Sequence, residues 1–167
     1  MKIYGLCLSN NPNSINRAFL EGLLASVNGM VIPFEQTDFS LFKIGDATPE
    51  NLSPLCDILQ DADAIIVSTP EYNGTISPFG KNVLDWISTK GVFNGSEKAT
   101  PLSGKKTMLT AVSPGPLGGI RAIPSTLSIL TELGCVVSKT FATTGGFKGK
   151  DHDYTSANAI LESFLKS

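Results

Sequence analysis

The chain has 167 residues, enough for one domain whose core buries roughly 70% of the unfolded surface. Hydrophobic residues make up 41% and charged residues 17%, which suits a sheet covered on both faces, and a formal net charge of −2 gives no basic footprint for nucleic acid. No apolar run reaches the ~18 residues of a membrane span, and three cysteines with a single histidine, His152, argue against a disulfide framework or a metal site.

Met1-Lys2-Ile3-Tyr4-Gly5 enters a strand pattern at once, leaving no room for a signal peptide, and the cysteines then read as core thiols of a cytoplasmic protein. The first strand, Ile3 to Leu8, runs into Ser9-Asn10-Asn11-Pro12-Asn13-Ser14. Five of these six loop residues carry hydroxyls or amides. A helix follows, with Ile15, Phe19, Leu20, Leu23, Leu24 and Val27 on one stripe. Its N-terminus favours an anion, and Arg17 in the first turn opposes the helix dipole unless an anion offsets it. Met30 to Phe34 reads as a second strand, placed at an edge because Pro33 cannot donate to a ladder. Asp38 to Asp46 reads as loop, and Leu52, Leu55, Cys56 and Leu59 mark a second helix.

Ala64-Ile65-Ile66-Val67-Ser68-Thr69 is short, β-branched and apolar, the pattern of a strand buried on both faces. It ends in the sharp turn Pro70-Glu71-Tyr72-Asn73-Gly74. Ser77 and Pro78 then suit an N-cap and first helical position, with Phe79, Val83, Trp86 and Ile87 on one face. Lys81 and Asp85 are spaced for a surface ion pair, and Trp86 for the core. Gly91 to Gly104 is the one long irregular stretch, a surface excursion or a flap near the site. Lys106 to Val112 is a fourth strand leading to the glycine-rich Ser113-Pro114-Gly115-Pro116-Leu117-Gly118-Gly119. Ile120, Ile123, Leu127 and Leu130 define a fourth helix, Cys135 to Val137 a fifth strand, and Ala157, Ile160, Leu161, Phe164 and Leu165 a closing helix. Strands alternating with helices imply one α/β domain over residues 1–167: a flavodoxin-like, doubly wound, five-stranded parallel sheet of order 2-1-3-4-5.

In that order strands 1, 3 and 4 are neighbours, and the loops after them converge on one crevice. The first is polar and suits a phosphate. The second presents Tyr72, a flat side chain, and the third offers exposed backbone N–H groups. A phosphate end beside a planar, hydrogen-bonding end describes a mononucleotide such as FMN. No GxGxxG, GxxxxGK[ST] or GxSxG is present, which removes the dinucleotide, P-loop and nucleophile-elbow readings.

Pro70-Glu71-Tyr72-Asn73-Gly74, followed by Lys81-Asn82 and Asp85-Trp86, resembles the signature of the NADPH-dependent FMN reductase family, which includes quinone, chromate and azo reductases. Ser14-Ile15-Asn16-Arg17 is similar to that family's phosphate loop, and Ser113, Gly115, Gly118 and Gly119 to its third loop; Asn10 and Asn11 stand where members often carry a basic residue. The resemblance implies that Ser9 and the Ser14-Ile15-Asn16-Arg17 segment hold the FMN phosphate. It implies that Pro70, Glu71, Tyr72, Asn73 and Gly74 line the isoalloxazine, largely through backbone groups, and that Ser113, Gly115 and Gly118 approach from the other side. Glu71 is positional, and no side chain is needed as nucleophile or base. NADPH or NADH is then the hydride donor, a quinone-like, azo, metal-ion or free flavin compound the acceptor, and a homodimer or homotetramer the expected assembly. The alternative is a flavodoxin-type electron carrier or flavin-binding sensor, although such carriers are typically strongly acidic.

Overall fold

The protein is described by a computed structural model covering residues 1–94, 97–145 and 151–167. β1 (Ile3–Cys7), β2 (Met30–Val31) and β3 (Ala64–Thr69) alternate with α1 (Ile15–Ala25) and α2 (Leu52–Asp61). β4 (Glu71–Tyr72) and β5 (Thr75–Ile76) form a small antiparallel hairpin before α3 (Pro78–Ser88). A second hairpin, β6 (Val92–Asn94) with β7 (Glu97–Ala99), precedes β8 (Lys106–Ser113), α4 (Ala122–Glu132), β9 (Val136–Thr144) and α5 (Tyr154–Lys166). The main sheet runs β2-β1-β3-β8-β9, all parallel. With the two small hairpins set aside this is the flavodoxin-like order 2-1-3-4-5.

Every residue of β3 is buried, and its alternating side chains feed two separate cores. Ile65 and Val67 pack with Leu6, Leu8 and Leu109 under α2, α3 and α4, where Trp86 is also buried. Ala64 and Ile66 face the other way, with Ile3, Cys7, Met108 and Val112, toward Phe19, Leu23 and Phe164 of α1 and α5. Each such fully buried large side chain contributes roughly 1.5–3 kcal/mol by leaving water. Trp86 Nε1 donates to Ser40 O at 2.8 Å, and Lys81 pairs with Asp85 at 2.6 Å on the surface.

Five elements differ from their sequence reading. β2 holds only two residues; Ile32 N still reaches Gly5 O at 2.8 Å, but Pro33 ends the pairing and a 3-10 turn takes Phe34–Gln36. The Pro70 to Gly74 turn is itself a hairpin, because Asn73 and Gly74 take positive φ (53° and 83°) and allow a two-residue turn. Ile120 lies before α4 and is exposed rather than on its buried face. β9 extends seven residues beyond Val137, with a register irregularity at Thr107/Met108. Within Gly91 to Gly104, the pairing of β6 with β7 replaces the irregular stretch; a role as a flap would involve residues 95–96, outside those described.

All three cysteines are buried free thiols. Burial pushes Cys7 and Cys135 up and Cys56 up to about 11, so they stay protonated at neutral pH. His152 packs edge-on against Phe19 and Tyr154, at 5.4 and 5.6 Å between ring centres. That burial lowers its pKa below the ordinary 6.5, with Asp151 pulling the other way. On acidification the unfolded chain therefore takes up this proton first. The stability His152 contributes is full above pH ~6.5 and is lost as pH falls toward the depressed folded value. Thermal melts between pH 7.5 and 5.5 should show a decline that His152→Leu flattens; equal declines in both proteins would place the sensitivity elsewhere.

Candidate cofactor site

The loops leaving β1, β3 and β8 enclose a cavity of about 470 Å³, within the usual range for small-molecule sites. Ser9, Asn11, Asn13, Ser14, Ile15 and Asn16 form one end, Pro70, Glu71 and Tyr72 the second wall, and Val112, Ser113 and Pro114 the third.

At the first end Ser14 caps α1: its Oγ accepts from Arg17 N at 3.2 Å, and its carbonyl accepts from Ala18 N at 3.1 Å. A helix start leaves its first amides without intrahelical partners, here those of Ile15 and Asn16. Ser9 Oγ accepts from Asn11 N at 3.4 Å and Asn11 Oδ1 from Asn13 N at 2.9 Å, so side-chain turns shape the loop. The donors at this end are neutral. Arg17 lies outside the cavity: its guanidinium donates to Ile32 O at 3.2 Å in an adjoining groove that also holds Phe34 and Glu35, and its Nη2 is buried without a partner.

Asn16 is buried, and its amide is spent inside the protein. Nδ2 donates to Val112 O at 3.0 Å, and Oδ1 accepts from Val112 N at 3.1 Å and Ser68 Oγ at 2.8 Å. The side chain pairs with Val112 as a strand residue would, one position beyond the last β3–β8 partners, Thr69 and Ala111. One residue thus joins the three cavity-forming segments.

In the second wall, Glu71 receives Arg121 Nε on Oε1 at 2.7 Å and the Arg121 backbone N–H on Oε2 at 3.0 Å, and Arg121 Nη2 also contacts Oε1. Ile76 N donates to Ser125 Oγ at 3.0 Å, so the β4–β5 hairpin is held to the start of α4 at two points. Tyr72 stands at the hairpin tip, 42% exposed.

Of the residues singled out from sequence, Ser9, Ser14, Ile15, Asn16, Pro70, Glu71, Tyr72 and Ser113 meet in this cavity; Arg17, Asn73, Gly74, Gly115 and Gly118 do not line it. Asn73 and Gly74 make the hairpin turn, and Gly118 brings the third loop against β9. Asn11, Asn13, Val112 and Pro114 also line the cavity, and Arg121 stands behind it. The run of asparagines was a visible cue to the first two; nothing local marked Arg121, fifty positions from its partner.

A model of NADPH-dependent FMN reductases matches residues 1–148. The chain belongs to the NADPH-dependent FMN reductase family. Among its relatives, an uncharacterised protein of Mycoplasma pneumoniae is 31% identical over 130 residues, 76% of this chain and 75% of that one. A quinone reductase of Escherichia coli is 30% identical over 89 residues, 53% of this chain and only 44% of its own length. FerB, a flavoenzyme NAD(P)H:(acceptor) oxidoreductase from Paracoccus denitrificans, superposes with a TM-score of 0.73 at 20% identity, over 99% of this chain and 95% of that one. That likeness establishes the shared fold. The family's cofactor is FMN, reduced by a nicotinamide nucleotide, and the cavity fits it: neutral donors at a helix N-terminus suit a phosphate, and Tyr72 with Pro114 offers flat walls for a ring system. Among the described residues no group of His, Cys, Asp and Glu is placed to hold a metal ion, and no helix is long and apolar enough to cross a membrane.

Proposed function

We propose that the protein is an FMN-dependent NAD(P)H oxidoreductase that reduces a small quinone-like, azo, metal-ion or flavin acceptor by a ping-pong route. The observation that carries this reading is the convergence of a phosphate-suited helix start and the Pro70-Glu71-Tyr72-Asn73-Gly74 hairpin on one cavity. When bound, FMN supplies hydride acceptance at N5 and its onward transfer. The chain's own task is to bind and orient. Ser9, Ser14 and the amides opening α1 hold the phosphate end, with Arg17 adding positive charge from the adjoining groove. Pro70, Glu71 and Tyr72 fix the ring edge, and Ser113 and Pro114 close the other side. Among the described residues lining the cavity there is no cysteine or histidine, in keeping with chemistry carried by the cofactor. Tyr72 at the exposed tip leaves one face for donor and acceptor in turn, in an assembly we take to be a homodimer or homotetramer.

Anaerobic NADPH or NADH should bleach the FMN-loaded protein without any partner protein, and an added quinone should restore the colour. Steady-state kinetics should give parallel double-reciprocal lines. FMN-loaded protein that neither nucleotide bleaches would instead be a carrier or sensor.

The phosphate end has its own test. Hydrogen bonds to charged groups contribute roughly 1.5–3 kcal/mol, so Ser14→Ala should weaken FMN about tenfold or more while barely changing riboflavin, which lacks the phosphate. Arg17→Ala should weaken FMN less, as its guanidinium lies outside the cavity. Equal losses of FMN and riboflavin in Ser14→Ala would move the phosphate elsewhere.

A further inference from the structure

We infer that the Glu71–Arg121 ion pair sets the reduction potential of the bound flavin, with Arg121 a positioning residue that acts through Glu71. The inference rests on FMN occupying the cavity. Among the described residues lining that cavity, Glu71 contributes the one charged side chain. Its side chain is only 7% exposed, whereas that of Arg121 is 59% exposed, so the carboxylate sits in the wall and its counter-charge stands behind it toward water. Both carboxylate oxygens are engaged, one by the guanidinium and one by the Arg121 backbone N–H.

Reduction places electrons, and so negative charge, on whatever ring system fills the cavity. A bare carboxylate in a low-dielectric wall opposes that charge far more strongly than one in water does. A paired guanidinium cancels most of the opposition, and removing one partner leaves the other uncompensated. The pair also anchors the hairpin that carries Tyr72, but so does the separate bond from Ile76 N to Ser125 Oγ, which survives its loss. Charge and anchoring can therefore be separated, because removing Glu71 as well as Arg121 restores the charge balance while the guanidinium's hold on the hairpin stays lost.

The test is a potentiometric titration of FMN-loaded protein at pH 8, above the usual carboxylate range. At the wild-type midpoint, Arg121→Ala should lower the ratio of reduced to oxidised flavin about tenfold, equivalent to ~30 mV for a two-electron couple. Glu71→Gln should shift the ratio the opposite way. The double variant Glu71→Gln/Arg121→Ala and the charge-keeping Arg121→Lys should both lie within about twofold of wild type. An unmoved midpoint in Arg121→Ala, or a double variant as displaced as Arg121→Ala alone, would overturn the inference while leaving the functional reading intact. A wild-type protein that takes up no FMN would bring down both.

Discussion

Asn16→Ala should lower the melting temperature by about 10–15 °C and abolish high-affinity FMN binding. The substitution removes three hydrogen bonds and leaves Val112 N–H, Val112 C=O and the Ser68 hydroxyl without partners in a buried site. Unsatisfied buried groups cost roughly 1–3 kcal/mol each. Shared relaxation keeps the total near about 3–5 kcal/mol, and in a chain of this size each kcal/mol moves the midpoint by roughly 2–4 °C. The binding loss has the same origin, since α1, β3 and β8 lose their common tie where their loops begin. Asn16→Asp is a sharper variant of similar size: it keeps the acceptor, loses the donor to Val112 O, and puts negative charge beside that carbonyl. Circular dichroism melts and FMN fluorescence titrations check both. A shift of under 3 °C in Asn16→Ala would mean that water re-forms the bridge and that the amide is not the tie described.

The second large effect is expected at Gly118. Its φ of +59° is unfavourable for any residue with a Cβ by roughly 1–2 kcal/mol. A Cβ there would lie 2.7 Å from the carbonyl carbon of Thr143 and 3.0 Å from its Cα and N, all backbone of β9. Nothing flexible is available to yield, so loop or strand must move, and overpacking of this kind adds roughly 1–3 kcal/mol. Gly118→Ala should thus cost about 2–5 kcal/mol and weaken FMN, because the same loop carries Ser113 and Pro114 into the cavity. Gly115→Ala is the control. The nearest atom to its added Cβ is Ser113 Oγ at 3.5 Å, so its stability should change by no more than ~0.5 kcal/mol. Denaturant midpoints compare the two directly, and equal effects would remove the close approach as the cause.

Much of the fold was legible because its signals are local. β3 announces itself by a β-branched apolar run, and Pro33 places β2 at an edge. Ser77 caps α3 as its position before Pro78 suggests, accepting from Gly80 N at 3.0 Å. The elements that escaped have weaker or non-local causes. Two-residue strands such as β4 and β5 are too short to show a period, and their pairing depends on the φ values of Asn73 and Gly74. β9 runs through Ser138, Lys139 and several threonines, polar residues that an outer strand tolerates, so its length is not written in hydrophobicity. In the cavity, residue types pointed to the right loops, but not to which side chains turn inward. Asn16, expected from the family resemblance to face a phosphate, spends its amide on Val112 and Ser68. Arg17 is drawn aside by the carbonyl of Ile32, and Glu71 finds a partner fifty positions away.

The bond between Asn16 and Val112 spans 96 positions. At the roughly 5–20 residues per second of protein synthesis, the first loop waits about 5–20 s before the segment that completes its cavity exists. For roughly the first half of that interval, until Ala64–Thr69 has been made, β1 also lacks β3, its neighbour on one side, so the nascent chain carries an exposed, strand-prone segment. A cofactor that needs all three loops cannot assist that early stage. It can only add, once β8 has docked, the stabilisation by mass action that any ligand of the native state provides. Shortage of flavin in a growing cell should therefore leave the yield of newly folded chain unchanged and shorten only the lifetime of the finished protein.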